Sequence, residues 1–130
     1  MKNSSHHRRA TSRIASIRHA LHGISILLVS QENARIHLIT TISTIALGIF
    51  LEISVPEWIV IVLAISLVWV AEGLNTAIEF IVDMISPEHR PLAGQIKDLA
   101  AGSVFLAAIG ALTIGLAIFG PRLYRLISPL

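Results

Sequence analysis

Residues 99–119 read LAAGSVFLAAIGALTIGLAIF, an apolar run without a charged side chain. An α-helix rises about 1.5 Å per residue, so about 20 apolar residues cross a hydrocarbon core of about 30 Å. The run therefore predicts a transmembrane helix, and Gly120-Pro121 immediately after it predicts where that helix ends.

Two further spans precede this helix in the sequence. Residues 58–85 are rich in isoleucine, valine and leucine, although polar residues interrupt their second half. Residues 36–55 carry several threonines and serines, whose hydroxyls can bond to the backbone of their own helix, so this segment also spans the membrane. The connection EISVPE at 52–57 is short, and Pro56 suits the first turn of a helix.

The N-terminal region predicts a helix of a different kind. One side of a helix over residues 13–30 carries the apolar side chains Ile14, Ile17, Leu21, Ile24 and Leu28. Such a helix either lies on the membrane surface or packs against the bundle. The fold class that follows is an all-α membrane protein with three transmembrane helices plus an N-terminal amphipathic surface helix. In this scheme residues 1–12 form a basic tail, residues 13–120 the membrane domain, and residues 121–130 a C-terminal tail.

The composition excludes several classes of protein. Of the 130 residues 54% are hydrophobic and 14% charged, too few charges to cover a water-exposed surface. The absence of cysteine excludes disulfides and thiolate metal sites. No GxxxxGK[ST] loop occurs, so any ATP site differs from that of the common soluble architectures. The net charge of +2 is not arranged as a basic face with aromatic residues, so we expect no nucleic-acid partner.

The distribution of lysine and arginine predicts the orientation in the membrane. Six of these residues precede the first span, none lies at 52–57, and Arg90 and Lys97 lie between the second and third spans. Cytoplasmic loops carry an excess of positive charge, so we expect a cytoplasmic N-terminus. Arg122 and Arg125 then lie on the outer side, against this rule, where both can snorkel into the headgroups.

The second predicted span contains a polar stripe, defined as Glu72, Asn75, Glu79 and Asp83. Their spacings of three, four and four residues stack them on one helical face. A carboxylate costs at least about 2.5–3.5 kcal/mol at the bilayer centre, so the polar stripe faces protein, water or an ion. It suits a general base or proton relay, or a divalent cation used in phosphoryl transfer.

The residues alone leave alternatives open. The polar stripe can pin helices together through buried hydrogen bonds, or it can line the pathway of a small proton or ion conductor. Lys97 follows near the Asp83 end and can hold phosphate as a point charge. Membrane topology by itself also supplies a lysine at such a helix end.

A family resemblance extends over the polar stripe and the loop after it. AEGLNTAIEFIVD at 71–83, SPEHRPLAGQIKDLAAG at 86–102 and NARIH at 33–37 resemble the small bacterial integral-membrane diacylglycerol kinase and undecaprenol kinase family. The similarity runs from about Arg13 to Phe119. It implies a homotrimer in the bacterial inner membrane, with active sites between subunits, that transfers the γ-phosphate of MgATP to a lipid hydroxyl.

The resemblance also implies roles for single residues. Glu72 looks like the general base that accepts the proton of the lipid hydroxyl, Asn75 would orient the reacting groups, and Glu79 looks like a ligand of Mg²⁺. The residues assigned by position to nucleotide or phosphate are Lys97, Asp98, Asp83, Gln31, Glu88 and Arg90.

Two positions depart from the family pattern. The usual second metal-binding glutamate is Gln31 here, so either Glu32 replaces it or the metal relies on Glu79 and phosphate oxygens. The usual histidine before proline in the loop is Arg90. The SPEH and AAG sequences favour undecaprenol over diacylglycerol as the acceptor. Because of Gln31, an inactive assembly stays open as a third hypothesis beside the lipid kinase and the ion conductor.

Overall fold

The computed structural model describes residues 4–86, 88 and 90–128, with residues 4–12 described by their backbone alone. In this part of the chain the helices are α1 (Ser4–Ser30), α2 (Glu32–Phe50), α3 (Val55–Ile85) and α4 (Pro91–Ile127). The last three are each long and apolar enough to cross a membrane. The predicted all-α fold with three transmembrane helices is therefore confirmed.

Helix α1 belongs to a separate compact unit from the helices that follow Glu32. Its apolar residues Ile14, Ile17 and Leu21 are all more than 60% exposed, as expected of an amphipathic helix. The described helix begins at Ser4 and so extends into the predicted basic tail, whose extent of residues 1–12 stays a prediction. Residues 1–3 lie outside the described residues, and the location of α1 on the membrane surface stays a prediction.

The turn between α2 and α3 is shorter than predicted and closes by backbone hydrogen bonds. Helix α2 ends at Phe50, five residues before the predicted end, because Glu52 adopts a left-handed conformation with φ of 49°. The amide of Ile53 donates to the carbonyl of Gly48 over 3.2 Å, and the amide of Glu52 donates to the carbonyl of Ile49 over 3.2 Å. These two bonds form a Schellman motif, which satisfies the last carbonyls of the helix.

Gly48 lies against a bulky side chain at this turn. A Cβ atom added at Gly48 would lie 2.8 Å from Cη2 of Trp58 and 3.2 Å from Cδ1 of Ile53. Ile53 also joins Ile61 and Phe119 in the buried apolar cluster at this end of the bundle. The absence of a side chain at Gly48 therefore lets the start of α3 pack directly on the end of α2.

Helix α3 begins with a capped first turn that is tied to α4. Pro56 lies in this turn, as predicted. The Glu57 carboxylate accepts hydrogen bonds from the amide and the hydroxyl of Ser54, both over 2.7 Å. The Arg122 guanidinium binds the same carboxylate with two nitrogens, at 2.6 and 2.8 Å. Arg122 thus has a carboxylate partner within the protein. This ion pair explains its position near the start of α3 better than the expected snorkelling into the headgroups.

Helix α4 is longer than predicted at both ends. It begins at Pro91, so Lys97, which was expected between the second and third spans, lies within the helix. It also continues through Pro121 to Ile127, although proline removes one backbone hydrogen bond. Arg122 donates from Nη1 to the carbonyl of Ile118 over 3.2 Å while it binds Glu57, and these contacts hold the helix together around the proline.

We expect Gly48→Ala to lower the stability of the protein by about 1–3 kcal/mol, because its methyl group would overlap the Trp58 ring. Thermal unfolding in detergent micelles measures the effect. Gly110→Ala is the matched control, since an added Cβ there meets nothing within 4 Å. Combining Gly48→Ala with Trp58→Leu should cost less than the sum of the single changes. Additive losses would contradict the contact.

We expect Arg122→Ala to lower the unfolding temperature, because it removes both bonds to Glu57 and the bond to the Ile118 carbonyl. Arg125→Ala removes the same charge three residues later and is the control. Equal unfolding temperatures for the two variants, measured in the same micelles, would show that the ion pair does not hold the two helices.

Candidate active site

One face of α3 changes from apolar to polar along its length. The residues buried on this face are Ile61, Ala64, Val68, Glu72, Asn75, Thr76 and Val82. Spacings of three, four and seven residues bring them onto one side of the helix. The change in polarity falls at Glu72, so the face is apolar towards Val55 and carries the buried polar residues Glu72, Asn75 and Thr76 in the half nearer Ile85.

The polar half of this face borders a cavity of about 320 Å³, which we call the polar cavity. Its lining comes from three helices, with Asn33, Ile36 and His37 from α2, Glu72, Asn75 and Glu79 from α3, and Ala101, Val104, Phe105 and Ala108 from α4. Three members of the predicted polar stripe therefore line the same cavity. Apolar and small side chains of α4 form the opposite wall.

Glu72 is the most deeply buried ionisable residue at this site, with 1% of its surface exposed. Its Oε2 atom has no hydrogen-bond partner among the described residues. The nearest basic group is His37, whose Nε2 atom lies 3.8 Å from Oε2, which is too far for a hydrogen bond. One carboxylate oxygen is thus buried beside the polar cavity with its capacity to accept a hydrogen bond unused within the described residues.

The position of His37 is set by its neighbours on α2 and α3. Its ring meets the Trp69 ring edge to face, with centroids 6.5 Å apart. Trp69 in turn donates from Nε1 to the Thr41 hydroxyl oxygen over 3.0 Å. These contacts between α2 and α3 hold the imidazole beside Glu72.

Asn75 and Glu79 form a second polar group one turn further along α3. The Asn75 amide nitrogen donates to Oε1 of Glu79 over 3.0 Å. The Asn75 carbonyl oxygen is buried without a hydrogen-bond partner within the described part of the chain. The bond to Glu79 fixes the orientation of the Asn75 side chain. Its Oδ1 atom can accept a hydrogen bond or coordinate a cation.

The fourth residue of the polar stripe lies outside the polar cavity. Asp83 is 63% exposed and accepts a hydrogen bond from Lys97 over 2.5 Å. The two residues therefore bind each other near the end of α3. Asp83 shares the helical face of Glu79 but lies one turn further along α3, and this axial offset places it outside the polar cavity.

The other predicted nucleotide residues are more dispersed. Asp98 lies on a different surface of α4, together with Gln95 and Ser103. Glu88 and Arg90 form an exposed ion pair at 4.0 Å in the connection between α3 and α4. Gln31 lies between α1 and α2, and Glu32 is the exposed first residue of α2. Their contacts with nucleotide or metal stay predictions.

The donor atoms at the site fit a magnesium ion that takes most of its ligands from water and substrate phosphates. Among the described residues no group of three or more His, Cys, Asp or Glu side chains could hold a metal ion. Mg²⁺, however, keeps several waters and is commonly held by one or two carboxylates together with substrate phosphates. The Glu79 carboxylate and the buried Asn75 oxygen match that mode.

Sequence reasoning missed several residues of the site. Asn33 and His37 line the polar cavity from α2, although NARIH entered the prediction only as part of the resemblance. Thr76 is buried on α3 and donates its hydroxyl to the Glu72 backbone carbonyl over 3.0 Å. A histidine within a predicted transmembrane helix could have indicated His37 as a site residue. Its neighbours on α3 cannot be predicted from residue spacing, because they lie on another helix.

Comparison with known proteins agrees with this geometry. Residues 18–119 match the family model described as prokaryotic diacylglycerol kinase. The chain is 39% identical over 121 residues to the undecaprenol kinase of Bacillus subtilis (strain 168), covering 92% of this chain and 98% of that protein. It is 36% identical over 118 residues to a diacylglycerol kinase of Synechocystis sp., covering 90% of this chain and 67% of that protein.

A diacylglycerol kinase of Escherichia coli (strain K12) is more distant. It is 26% identical over 89 residues, covering 68% of this chain and 73% of that protein. With three apolar helices and a buried polar face on the middle one, the chain belongs to the prokaryotic diacylglycerol kinase family and is a multi-pass membrane lipid kinase.

Proposed function

We propose that this protein transfers the γ-phosphate of ATP to the hydroxyl of a membrane lipid, with undecaprenol favoured over diacylglycerol. The observation that carries the proposal is the Glu72 carboxylate, which is 1% exposed and has one oxygen without a hydrogen-bond partner within the described residues. An unpartnered carboxylate oxygen facing a cavity in a transmembrane helix is a suitable acceptor for the proton of a lipid alcohol.

The depths of the polar residues suit substrates that arrive from different directions. Glu72 lies 13 residues before Ile85, about 20 Å along the helix, whereas Glu79 lies about 9 Å from that end. A lipid hydroxyl can reach Glu72 from the hydrocarbon region, while the phosphates of a water-soluble nucleotide enter past Glu79. Asn75 lies between them and contacts Glu79, so it is placed to orient the transferred group.

In the proposed reaction Glu72 takes the proton of the lipid hydroxyl. The hydroxyl oxygen then forms a bond to the γ-phosphorus, and the bond between that phosphorus and the bridging oxygen of ADP breaks. The imidazole of His37 at 3.8 Å positions the Glu72 carboxylate toward the polar cavity. We assign His37 as a positioning residue, since its own nitrogen does not reach hydrogen-bond distance.

Magnesium is the proposed cofactor, with Glu79 and the Asn75 oxygen as its ligands from the described site. When bound, Mg²⁺ neutralises charge on the phosphate oxygens. We keep Glu32 as a proposed further ligand. Lys97 would exchange Asp83 for a phosphate of the nucleotide, because a lysine ammonium holds phosphate as a point charge. Asp98, Glu88, Arg90 and Gln31 are proposed as more distant nucleotide contacts.

The proposed assembly is a homotrimer in the bacterial inner membrane with a cytoplasmic N-terminus. The excess of lysine and arginine before α2, together with Arg90 and Lys97 near the start of α4, supports this orientation. The small number of metal ligands in the described part of one chain is consistent with active sites completed by a second subunit. Undecaprenol is the favoured acceptor because the undecaprenol kinase of Bacillus subtilis aligns with this chain over 98% of its own length.

We expect Glu72→Gln to lower kcat about 10²- to 10⁴-fold, because the variant keeps the shape of the side chain and cannot accept the hydroxyl proton. The KM for ATP should change little. Transfer of labelled phosphate from ATP to lipid in detergent micelles measures both constants. Glu52→Gln, an exposed change in the turn between α2 and α3, is the control. Full activity of Glu72→Gln would remove Glu72 as the base.

The acceptor is identified by competition. With undecaprenol and diacylglycerol at equal mole fraction in the same micelles, we expect most of the label to appear in undecaprenyl phosphate. Thin-layer separation of the two products gives the ratio directly. The Glu72→Gln variant should label both lipids about 10²- to 10⁴-fold more slowly, and labelling at the original rate would reveal a contaminating kinase. Predominant labelling of diacylglycerol would reverse the proposed preference and leave the kinase activity intact.

A further inference from the structure

Two ion pairs join α3 to α4, one near each end of α3, and they differ in character. Near the start of α3 the Arg122 guanidinium binds Glu57 with two nitrogens, and both side chains are partly buried. Near the other end Lys97 donates to one oxygen of Asp83 over 2.5 Å, and these side chains are 38% and 63% exposed. An exposed pair with a single contact contributes little to stability. The pair of Lys97 and Asp83, which we call the exchangeable pair, is therefore easily broken.

The exchangeable pair lies beyond the end of the polar cavity at which α3 carries Glu79. Asp83 follows Glu79 by four residues and so shares its helical face. Lys97 precedes Ala101 by four residues, and Ala101 lines the polar cavity from α4. Both members thus lie about 6 Å along their helices from residues that line the polar cavity. Phosphates that pass between α3 and α4 to reach Glu79 therefore meet Lys97 on the way.

We propose that Asp83 competes with the phosphates of the nucleotide for Lys97 and thereby lowers the affinity of the site for nucleotide. The inference rests on the proposed function, in which Lys97 holds a phosphate, and it makes Asp83 a positioning residue that acts through Lys97. Asp83 holds the ammonium group between α3 and α4 while the site is empty. It binds Lys97 again when the phosphates leave, which favours the release of ADP after the transfer.

The chemistry of the two anions makes the exchange possible. A carboxylate and a phosphate both present anionic oxygens to the three N–H donors of an ammonium group, which lysine offers as a point charge. The phosphate chain of a nucleotide carries more negative charge than one carboxylate, so it displaces Asp83 from Lys97. The released carboxylate then lies beside the bound phosphates and repels them. Loss of the exchangeable pair requires Lys97, whereas the repulsion does not, so the two effects can be measured separately.

The test is the equilibrium binding of MgADP in detergent micelles, which requires no turnover. We expect Asp83→Asn to lower the Kd about two- to fivefold, the range that corresponds to an exposed ion pair, and to lower the KM for ATP by a similar factor. Glu52→Gln makes the same change of charge in the turn between α2 and α3 and is the matched control. Its Kd and KM should equal those of the original protein.

The Lys97→Gln background separates competition from repulsion. In that background Asp83→Asn should lower the Kd by a clearly smaller factor, because no ammonium group remains to be released from the exchangeable pair. An equal factor in both backgrounds would overturn the inference, since Asp83 would then act by its charge alone. An unchanged Kd in Asp83→Asn would also overturn it, and so would a higher Kd, which would make Asp83 a contact of the nucleotide.

A spectroscopic readout keeps the inference testable if the Lys97→Gln variants bind too little ADP to measure. Lys2 and Lys97 are the lysines of the sequence, so Lys2→Arg protein made with lysine isotopically labelled at Cε gives a single side-chain signal. Saturating MgADP should move this signal in the NMR spectrum. Asp83→Asn should move it before any nucleotide is added, because the variant lacks the carboxylate that binds Lys97. A signal that MgADP does not move would rule out the exchange.

These outcomes are distinct from a failure of the proposed function. ADP binding and the Lys97 signal do not depend on a lipid acceptor, so they can refute the exchange while phosphate transfer to lipid persists. Absence of transfer to any lipid alcohol or diacylglycerol would instead refute the proposed kinase activity. Failure of the original protein to bind ADP would refute both.

Discussion

The burial of the Glu72 carboxylate within a membrane-spanning bundle is the constraint on which the rest of the site depends. Because a lipid-facing carboxylate at this depth is strongly unfavourable, α2 and α4 must cover that face of α3. They do so with His37 on one side and with the small and apolar residues of α4 on the other. The cover leaves a cavity instead of a closely packed core, and one oxygen of the carboxylate has no hydrogen-bond partner in the part of the chain that the structure describes.

The axial positions of α3 and α4 are fixed at the opposite end of the bundle from the polar residues. Glu57 caps its own helix through Ser54 and binds Arg122 of α4, so the ion pair sets the register between the two helices. A slip of one turn would move α4 by about 5.4 Å and displace Ala108 from the level of Glu72. The contact between Glu57 and Arg122 thereby helps determine which α4 residues line the polar cavity.

Much of this arrangement is predictable from the sequence, and the failures have identifiable causes. Hydrophobicity gives the three spans, and the spacing of Glu72, Asn75 and Glu79 gives their common face. The helix limits depend on contacts distant in sequence, since Pro121 reads as a stop unless its neighbour Arg122 is known to bind Glu57. The neighbours of His37 are likewise set by packing between α2 and α3.

The unequal lengths of the three spans have a consequence for the host membrane. Helix α2 has 19 residues, about 28 Å, and so matches an ordinary hydrocarbon core, whereas α3 and α4 have 31 and 37 residues and exceed it. The longer helices adapt to a thicker bilayer by reducing their tilt, but α2 has no spare length. Hydrophobic mismatch would therefore act first on α2, the helix that supplies His37, and through it on the surroundings of Glu72.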